Sequence, residues 1–404
     1  MESVSDSRSA AGTGNRIIRQ CSLLFGLALF GYPVIGNIIS LLQVDSRTLS
    51  VPFRILVASW SLWIIVISGK LRMDRLRKVM LFIWLVYGLR LLHDWLFTNL
   101  DGADYALEFF LACSVLPAIA LMKAKLYDQR KFAMAAFGIA TLGSIMSIFV
   151  LKFGNADRQD LSEVSRLSLA AVDPVTLGHL AVSALLCAFA LWPGCKVFPR
   201  IILVCLCIPV VACLLLTGSK GPALTLVISV GLLATRRRNL FRFAMIAAPA
   251  AIWLIVSDAS PLGARIAASS DDQSTLDRIV VLSDSIQQIA DAPWIGSAFV
   301  ELNSGFYPHN VFVEAAMALG LPIGVLFTGL VLFGAIRAWR DLRGNNYLLG
   351  LLYIQAILAS AISGSLYGST MLWVVLALFP IMKRWTEVSR GSETGVSSSA
   401  LRYS

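Results

Sequence analysis

The stretch RIILVCLCIPVVACLLLTGSKG, residues 200–221, indicates the fold of the whole chain. Between Arg200 and Lys220 it contains no charged residue. An apolar run of about 17 to 25 residues crosses the hydrocarbon core of a bilayer as a helix, which satisfies all its backbone hydrogen bonds internally. The stretch therefore predicts a transmembrane helix at 199–216, followed by a polar turn.

Comparable apolar runs recur along nearly the whole chain of 404 residues, of which 57% are hydrophobic and 14% are charged. Soluble domains carry about 25% charged residues. We therefore predict an all-α polytopic membrane protein of about 12 transmembrane helices. The predicted spans lie near 17–43, 51–68, 77–97, 105–122, 132–151, 173–192, 199–216, 220–235, 240–257, 310–336, 345–363 and 366–383. The first could instead be a re-entrant pair, because Gly31, Pro33 and Gly36 interrupt it.

The basic residues predict the orientation, since short loops rich in Lys and Arg stay cytoplasmic. With both termini inside, every predicted inner segment is basic, and this asymmetry explains the net charge of +10 without nucleic acid as a partner. Residues 1–385 then form a single transmembrane domain with one large outer loop, 258–309, between helices 9 and 10, and 386–404 form a disordered cytoplasmic tail. Few basic residues remain outside: Arg47, Arg54, Lys152, Arg158, Arg166, Lys220, Arg265 and Arg278.

The large outer loop contains a predicted helix of its own. Apolar residues recur there at helical spacing, whereas Asp277, Asp284 and Gln288 fall on the opposite face. We expect this helix to lie on the membrane surface or over the bundle and to end at Ala292-Pro293. The apolar positions are Leu276, Ile279, Val280, Leu282, Ile286 and Ile289.

Titratable groups gather at the outer ends of the predicted spans. The three histidines, His93, His179 and His309, all fall there, on the side that also carries the outer arginines. Ionisable groups at membrane depth are costly and usually functional. Each cation could pair with a loop carboxylate, but for the whole set a shared anionic ligand is the better explanation.

Two span starts support an anionic ligand. At the eighth span, Ser219 suits an N-cap and Pro222 the first turn, so the free N–H groups with Lys220 would form an anion cradle. The tenth span begins at His309-Asn310, where Asn310 could simply cap the helix and His309 could bond a loop carbonyl. No cluster has metal-ligand spacing, and the seven cysteines are interpreted as apolar packing residues.

Several stretches in fixed order resemble the O-antigen ligase/polymerase family of bacterial membrane glycosyltransferases. They are Arg166 to Asp173-Pro174, Thr217-Gly-Ser-Lys-Gly, Asp277-Arg278 with Asp291-Ala-Pro-Trp-Ile-Gly296, and His309-Asn310 through Glu314 to Gly320-Leu-Pro-Ile-Gly324, within about residues 160–340. The family commonly has Arg where Lys220 stands and Gly where Ala298 stands.

The resemblance implies transfer of a glycan from undecaprenyl diphosphate to an acceptor hydroxyl at the periplasmic face of the bacterial inner membrane. It aligns Arg278 and His309 with essential positions and Arg265 with a further loop arginine. We expect these three to be catalytic, with His309 as the base and fixed cations stabilising the diphosphate leaving group. The expected substrate-binding residues are Lys220, Arg166, Asn310, Glu314, Ser219 and His179. No metal or cofactor is expected, and direct displacement would invert the anomeric centre.

The acceptor remains open. A second lipid-linked repeat would make the protein a polymerase, lipid A–core would make it a ligase, and a protein hydroxyl is the third choice. A chain-length regulator is a further expected partner. The alternative from another class is a transporter or lipid-linked oligosaccharide flippase without catalysis, in which repeats and midplane broken helices are common. The one-sided placement of polar residues favours the enzyme.

Overall fold

The computed structural model describes residues 2–68, 74–124, 127–153, 172–236, 273–344 and 347–379. These residues form helices and connecting turns. In chain order the α-helices are α1 Glu2–Leu42, α2 Ser46–Ile67, α3 Arg75–Leu96, α4 Ala103–Phe109, α5 Leu116–Ala124, α6 Gln129–Phe153, α7 Pro174–Leu191, α8 Val197–Leu216, α9 Lys220–Arg236, α10 Gln273–Asp291, α11 Val311–Leu319, α12 Leu321–Asp341, α13 Leu348–Ile362 and α14 Thr370–Phe379. A π-helical turn, Phe110–Val115, joins α4 to α5.

Eight helical segments within the described ranges are long and apolar enough to span a membrane. They are Asn15–Leu42, Ser46–Ile67, Arg75–Leu96, Ala103–Ala124, Gln129–Leu151, Pro174–Gly194, Val197–Leu216 and Leu321–Asp341. Helices α9, α13 and α14 are apolar but shorter. The protein is therefore a multi-pass membrane protein, as its composition predicts. The predicted ninth span, 240–257, and the predicted tail lie outside the described residues.

The first predicted span is one unbroken helix, so the re-entrant pair is wrong. Pro33 lies inside α1, and the Asn37 amide nitrogen donates to the Pro33 carbonyl at 2.8 Å and to the Gly143 carbonyl of α6 at 3.2 Å. Gly26 lets the same two helices approach, because a Cβ on it would stand 3.1 Å from the Ala135 carbonyl oxygen. Close packing against α6 thus keeps α1 continuous.

The tenth predicted span, 310–336, is wrong as a single helix, because the chain breaks at Gly320 into α11 and α12. Gly320 has φ +81°, a conformation that L side chains rarely adopt. Gly324 then lets the start of α12 pass close to α11, since a Cβ there would lie 2.8 Å from Ala316 Cα. Pro322 stands in the first turn of α12, where its missing N–H costs no hydrogen bond.

The predicted loop helix is confirmed as α10, which ends before Ala292-Pro293. Its polar positions Ser285 and Gln288 are buried, whereas Leu276, Ile279, Val280 and Ile286 are exposed. The helix thus lies over the bundle with its apolar side turned outward.

Candidate active site

The segment that leads from α10 to His309, residues 292–309, is tightly built. Gln288 on α10 holds it from one side: its amide nitrogen donates to Ser297 Oγ at 2.7 Å, and its amide oxygen accepts from the Leu302 N–H at 3.0 Å. The Glu301 carboxylate accepts the N–H groups of Asn303 and Ser304 at 2.8 and 2.7 Å. Side chains thus pair the backbone N–H groups that have no partner in a regular helix or sheet here.

An ion pair on α3 holds the same segment from the other side. Arg90 donates to the carbonyl oxygens of Ser297 and Ile295 at 2.9 and 3.1 Å. Asp94 is fully buried, accepts the Phe299 N–H at 3.0 Å and lies 3.6 Å from the Arg90 guanidinium. These contacts with Asp94 and with the backbone of the segment give the intramembrane Arg90 a structural role.

Two glycines let this segment dock into the break between α11 and α12. A Cβ on Gly296 would stand 2.5 Å from the Ala318 carbonyl carbon, and one on Gly320 would stand 2.3 Å from the Trp294 carbonyl oxygen. Backbone bonds close the contact, from Ser297 N–H to the Met317 carbonyl at 2.9 Å and from Leu321 N–H to the Pro293 carbonyl at 2.8 Å. The two glycine-containing motifs of the sequence thus form one packed junction.

His309 stands where this segment enters α11. Its backbone has φ +54°, which is uncommon for a non-glycine residue and is often found at functional sites. Its ring is 4.5 Å from the Tyr307 ring between centroids, and its Nδ1 is buried without a hydrogen-bond partner among the described residues. This ring nitrogen therefore has unused hydrogen-bonding capacity.

Arg278 and His309 meet at Ser363, which follows α13. The Arg278 guanidinium donates to Ser363 Oγ at 3.2 Å, and the His309 ring bonds the Ser363 backbone. Burial, and after it the positive charge of Arg278, lower the pKa of His309 below its ordinary value of 6.5, although the Ser363 bond and Asp173 act in the opposite direction. The imidazole is therefore kept neutral at neutral pH, the form that accepts a proton.

The start of α9 lies beside the same serine. A Cβ on Gly221 would be 3.6 Å from Ile362, the neighbour of Ser363 in the chain. Gly178 of α7 packs against Pro222, since a Cβ there would lie 2.6 Å from the proline ring. These contacts bring Lys220, the first residue of α9, and the buried Ser219 to the end of the bundle that carries Arg278 and His309.

The remaining predicted site residues differ in their surroundings. Asn310 caps α11, because its side-chain oxygen accepts the N–H groups of Phe312 and Val313 at 3.0 and 3.3 Å. Glu314 is fully buried, and its two oxygens accept from Tyr87 Oη and the Leu366 N–H, each at 2.7 Å.

His179 lies one turn inside α7, and both of its ring nitrogens are buried without a hydrogen-bond partner among the described residues. Its carbonyl accepts from the Gln355 amide of α13 at 2.8 Å. Arg166 and Arg265 lie outside the described residues.

Three neighbours of the site are not among the site residues predicted from the sequence. Tyr307 stacks near His309, Ser363 joins His309 to Arg278, and Asp173 is the N-cap of α7 and influences both His309 and Tyr307 electrostatically. Burial, then Asp173 and Glu314, raise the pKa of Tyr307 to about 12, so its hydroxyl stays protonated. Asp173-Pro174 belongs to the quoted motifs, whereas a serine in a short connection gives no local signal. Among the described residues no group of three or more His, Cys, Asp or Glu could hold a metal.

Comparison with known proteins identifies a family model that matches part of the chain. Residues 201–328 match the family model described as O-antigen ligase. No curated protein and no solved structure matches the chain. The matched residues contain Lys220, Arg278 and His309. Over residues 201–328 the match confirms the resemblance to the O-antigen ligase family, and it supports a role in the assembly of surface polysaccharide.

Proposed function

We propose that the protein is an inverting, metal-independent glycosyltransferase of the bacterial inner membrane. It transfers a glycan from undecaprenyl diphosphate to an acceptor hydroxyl at the periplasmic face, as an O-antigen or exopolysaccharide polymerase or ligase. The observation that carries the proposal is the contact at Ser363. There the Arg278 guanidinium and the neutral His309 imidazole bond the same residue, beside the start of α9.

The chemistry requires one base and several fixed cations. The acceptor oxygen attacks the anomeric carbon, the bond from that carbon to the diphosphate oxygen breaks, and the hydroxyl proton passes to His309. The leaving diphosphate gains negative charge, which Arg278, Lys220 and the N–H groups at the start of α9 stabilise. Arg265 and Arg166 complete the proposed cation set. Because no enzyme group bonds to the sugar, one displacement inverts the anomeric centre.

The other proposed substrate-binding residues act around this centre. Asn310 fixes the start of α11 and thereby the backbone of His309. Glu314 supports the same helix from within the bundle, and Ser219 and His179 border the diphosphate. Lys220 supplies charge without the bidentate fork of an arginine, so its contact with phosphate is less directional.

A transport function has one structural feature in its favour, the broken helix at Gly320. In transporters such breaks leave free helix ends that bind substrate. Here the break is filled by Trp294 and Ile295, and the backbone bonds of the junction occupy its polar groups. The break therefore supports a docked segment better than a transport site.

The direct test is turnover by the purified protein with a synthetic lipid-diphosphate glycan and an acceptor glycan. Wild type should release undecaprenyl diphosphate, and His309→Ala should lower the rate by about 10²- to 10⁴-fold, the usual contribution of a general base. His93→Ala is the matched control, because His93 is half-exposed and lies on α3. Full turnover by a folded His309→Ala protein would remove His309 from the mechanism.

A deletion strain separates the two family activities. Surface glycan capped with single repeats would identify a polymerase that extends one lipid-linked glycan with another, with a chain-length regulator as its partner. Free lipid-linked polymer together with bare lipid A–core would identify a ligase. Normal glycan in the deletion strain would contradict both.

A further inference from the structure

A continuous row of aromatic rings leads away from His309 at the same end of the bundle. We define the aromatic row as Tyr307, Tyr367, Phe109, Tyr105 and Tyr32. Ring centroids are 6.3 Å apart from Tyr307 to Tyr367, 6.5 Å from Tyr367 to Phe109, and 5.9 and 5.6 Å from Phe109 to Tyr105 and to Tyr32. The row joins α1, α4, the connection between α13 and α14, and the segment before His309.

The row ends at an ion pair between α2 and α4. The Arg54 guanidinium lies 4.9 Å from the centre of the Tyr105 ring and 3.3 Å from the Glu108 carboxylate. The Arg54 side chain is 7% exposed, whereas that of Glu108 is 64% exposed. Arg54 Nη1 is the atom that lies 3.3 Å from the Glu108 carboxylate, and Arg54 Nε has no hydrogen-bond partner among the described residues. The buried cation therefore holds an accessible carboxylate at the edge of the row without fully engaging it.

We propose that the aromatic row and Glu108 form a binding groove for an oligosaccharide whose reacting end lies at His309. The proposal rests on the proposed function, because it assigns the groove to the glycan that this site transfers or extends. Glu108 is the proposed acceptor of sugar hydroxyl hydrogen bonds, and Arg54 is a positioning residue that orients the carboxylate through the ion pair.

The chemistry of the row fits a sugar chain. None of its five rings is buried: Tyr105 is exposed, and the others are partly so. The C–H faces of sugar rings pack against aromatic faces, while tyrosine hydroxyls and a carboxylate bond the sugar hydroxyls at the edges. A polyisoprenoid chain would leave those polar groups unused.

Most of the groove lies outside the region that matches the family model. Of the row and the ion pair, only Tyr307 falls within residues 201–328. Arg54, Tyr105, Glu108 and Phe109 lie on α2 and α4. The groove is therefore a feature through which this chain would select its own glycan.

The test measures glycan binding without turnover. The probe is the surface polysaccharide of the bacterium that makes this protein, cut into short oligosaccharides that carry no lipid diphosphate. It is titrated onto the full-length protein in nanodiscs. Tyr105→Leu and Glu108→Gln should each weaken binding at least tenfold. Trp63→Leu is the matched control, since Trp63 is a 43% exposed aromatic residue on α2 outside the row. Arg54→Lys should weaken binding less than Glu108→Gln, and thermal melts verify that each variant is folded.

The outcomes separate this proposal from the proposed function. Wild-type affinity in folded Tyr105→Leu and Glu108→Gln proteins overturns the groove, even if His309→Ala abolishes turnover. Weakened binding in both variants supports the groove, even if His309→Ala keeps full turnover and the proposed function fails. Weakened binding of undecaprenyl phosphate with unchanged oligosaccharide binding would assign the row to the lipid and overturn the proposal.

Discussion

His309 combines a left-handed backbone, a buried ring nitrogen and a neighbouring guanidinium. Each of these features costs free energy in a residue that serves packing alone, with a backbone strain of about 1–3 kcal/mol. The surrounding structure maintains them through the Asn310 cap on one side and the Ser363 contact on the other. A strained residue that is held so firmly is well suited to present one ring nitrogen in a fixed direction.

The electrostatic pairing predicts how the rate depends on pH. A base with a lowered pKa works only when unprotonated, so the acid limb of kcat/KM should lie below pH 6.5. Arg278→Gln removes the positive charge beside His309. This loss makes the imidazolium less unfavourable and therefore raises the pKa of His309. The limb should therefore move to higher pH while the overall rate falls. Steady-state kinetics from pH 5 to 9 measure both effects.

The matched control for that shift is Arg75→Gln, since Arg75 is exposed at the start of α3. It should leave the limb in place. An unmoved limb in Arg278→Gln would show that the two side chains do not interact during turnover.

Among the structural elements, the junction of the 292–309 segment with α11 and α12 depends on Gly320. Gly320→Ala would force an L side chain into φ +81° and bring its Cβ within 2.3 Å of the Trp294 carbonyl oxygen. We expect a loss of about 2–4 kcal/mol in the free energy of unfolding. Thermal melts in detergent measure it as a lower Tm.

Gly329→Ala is the control for Gly320→Ala, because Gly329 lies within α12 and a Cβ there meets nothing within 4 Å. It should be neutral or stabilise the helix by up to about 1 kcal/mol. Equal melting of the Gly320→Ala and wild-type proteins would contradict the packed junction.

The Arg90–Asp94 ion pair on α3 leads to a second prediction about the 292–309 segment. Asp94→Ala would remove the acceptor of the Phe299 N–H and leave Arg90 largely buried without its carboxylate. Removal of one partner from a buried ion pair costs about 3–5 kcal/mol. We expect a lower Tm and faster proteolysis within residues 292–309. Asp101→Ala, in the exposed turn before α4, is the control and should change neither.

The sequence predicts those elements whose signal is local. Hydropathy finds the long spans and helical spacing finds α10, because each depends on a repeating pattern within one segment. The break at Gly320 is missed, since apolar residues continue on both sides and hydropathy measures only transfer to lipid. At the site, sequence supplies Arg278 and His309 through the family resemblance. It does not supply Ser363 or the aromatic row, because only tertiary packing brings those residues together.

For the molecule as a whole, the helices bring chemistry from distant parts of the chain to one end of the bundle. Asp173 before α7, Arg278 on α10 and Ser363 after α13 surround His309, and Lys220 begins α9, whose Gly221 lies beside Ile362. Lipid-linked substrates carry their reactive group at the membrane surface, so a site at a bundle end reaches that group without moving it through the bilayer. The protein thus needs no alternating access for the proposed reaction.

The orientation of α10 predicts where the bilayer surface meets this site. Its outward residues Leu276, Ile279, Val280 and Ile286 are 48–58% exposed, and Trp294 and Ile295 beyond it are each 77% exposed. Exposed apolar residues on an amphipathic helix favour burial at the boundary between headgroups and acyl chains. A photo-crosslinking amino acid at position 279 should therefore form adducts with tagged acyl lipids in nanodiscs. The same probe at Ser304, in an exposed turn of the same segment, should form few. Equally few adducts at both positions would mean that α10 stands in water. Arg278 would then approach the diphosphate from the aqueous side and not from the membrane surface.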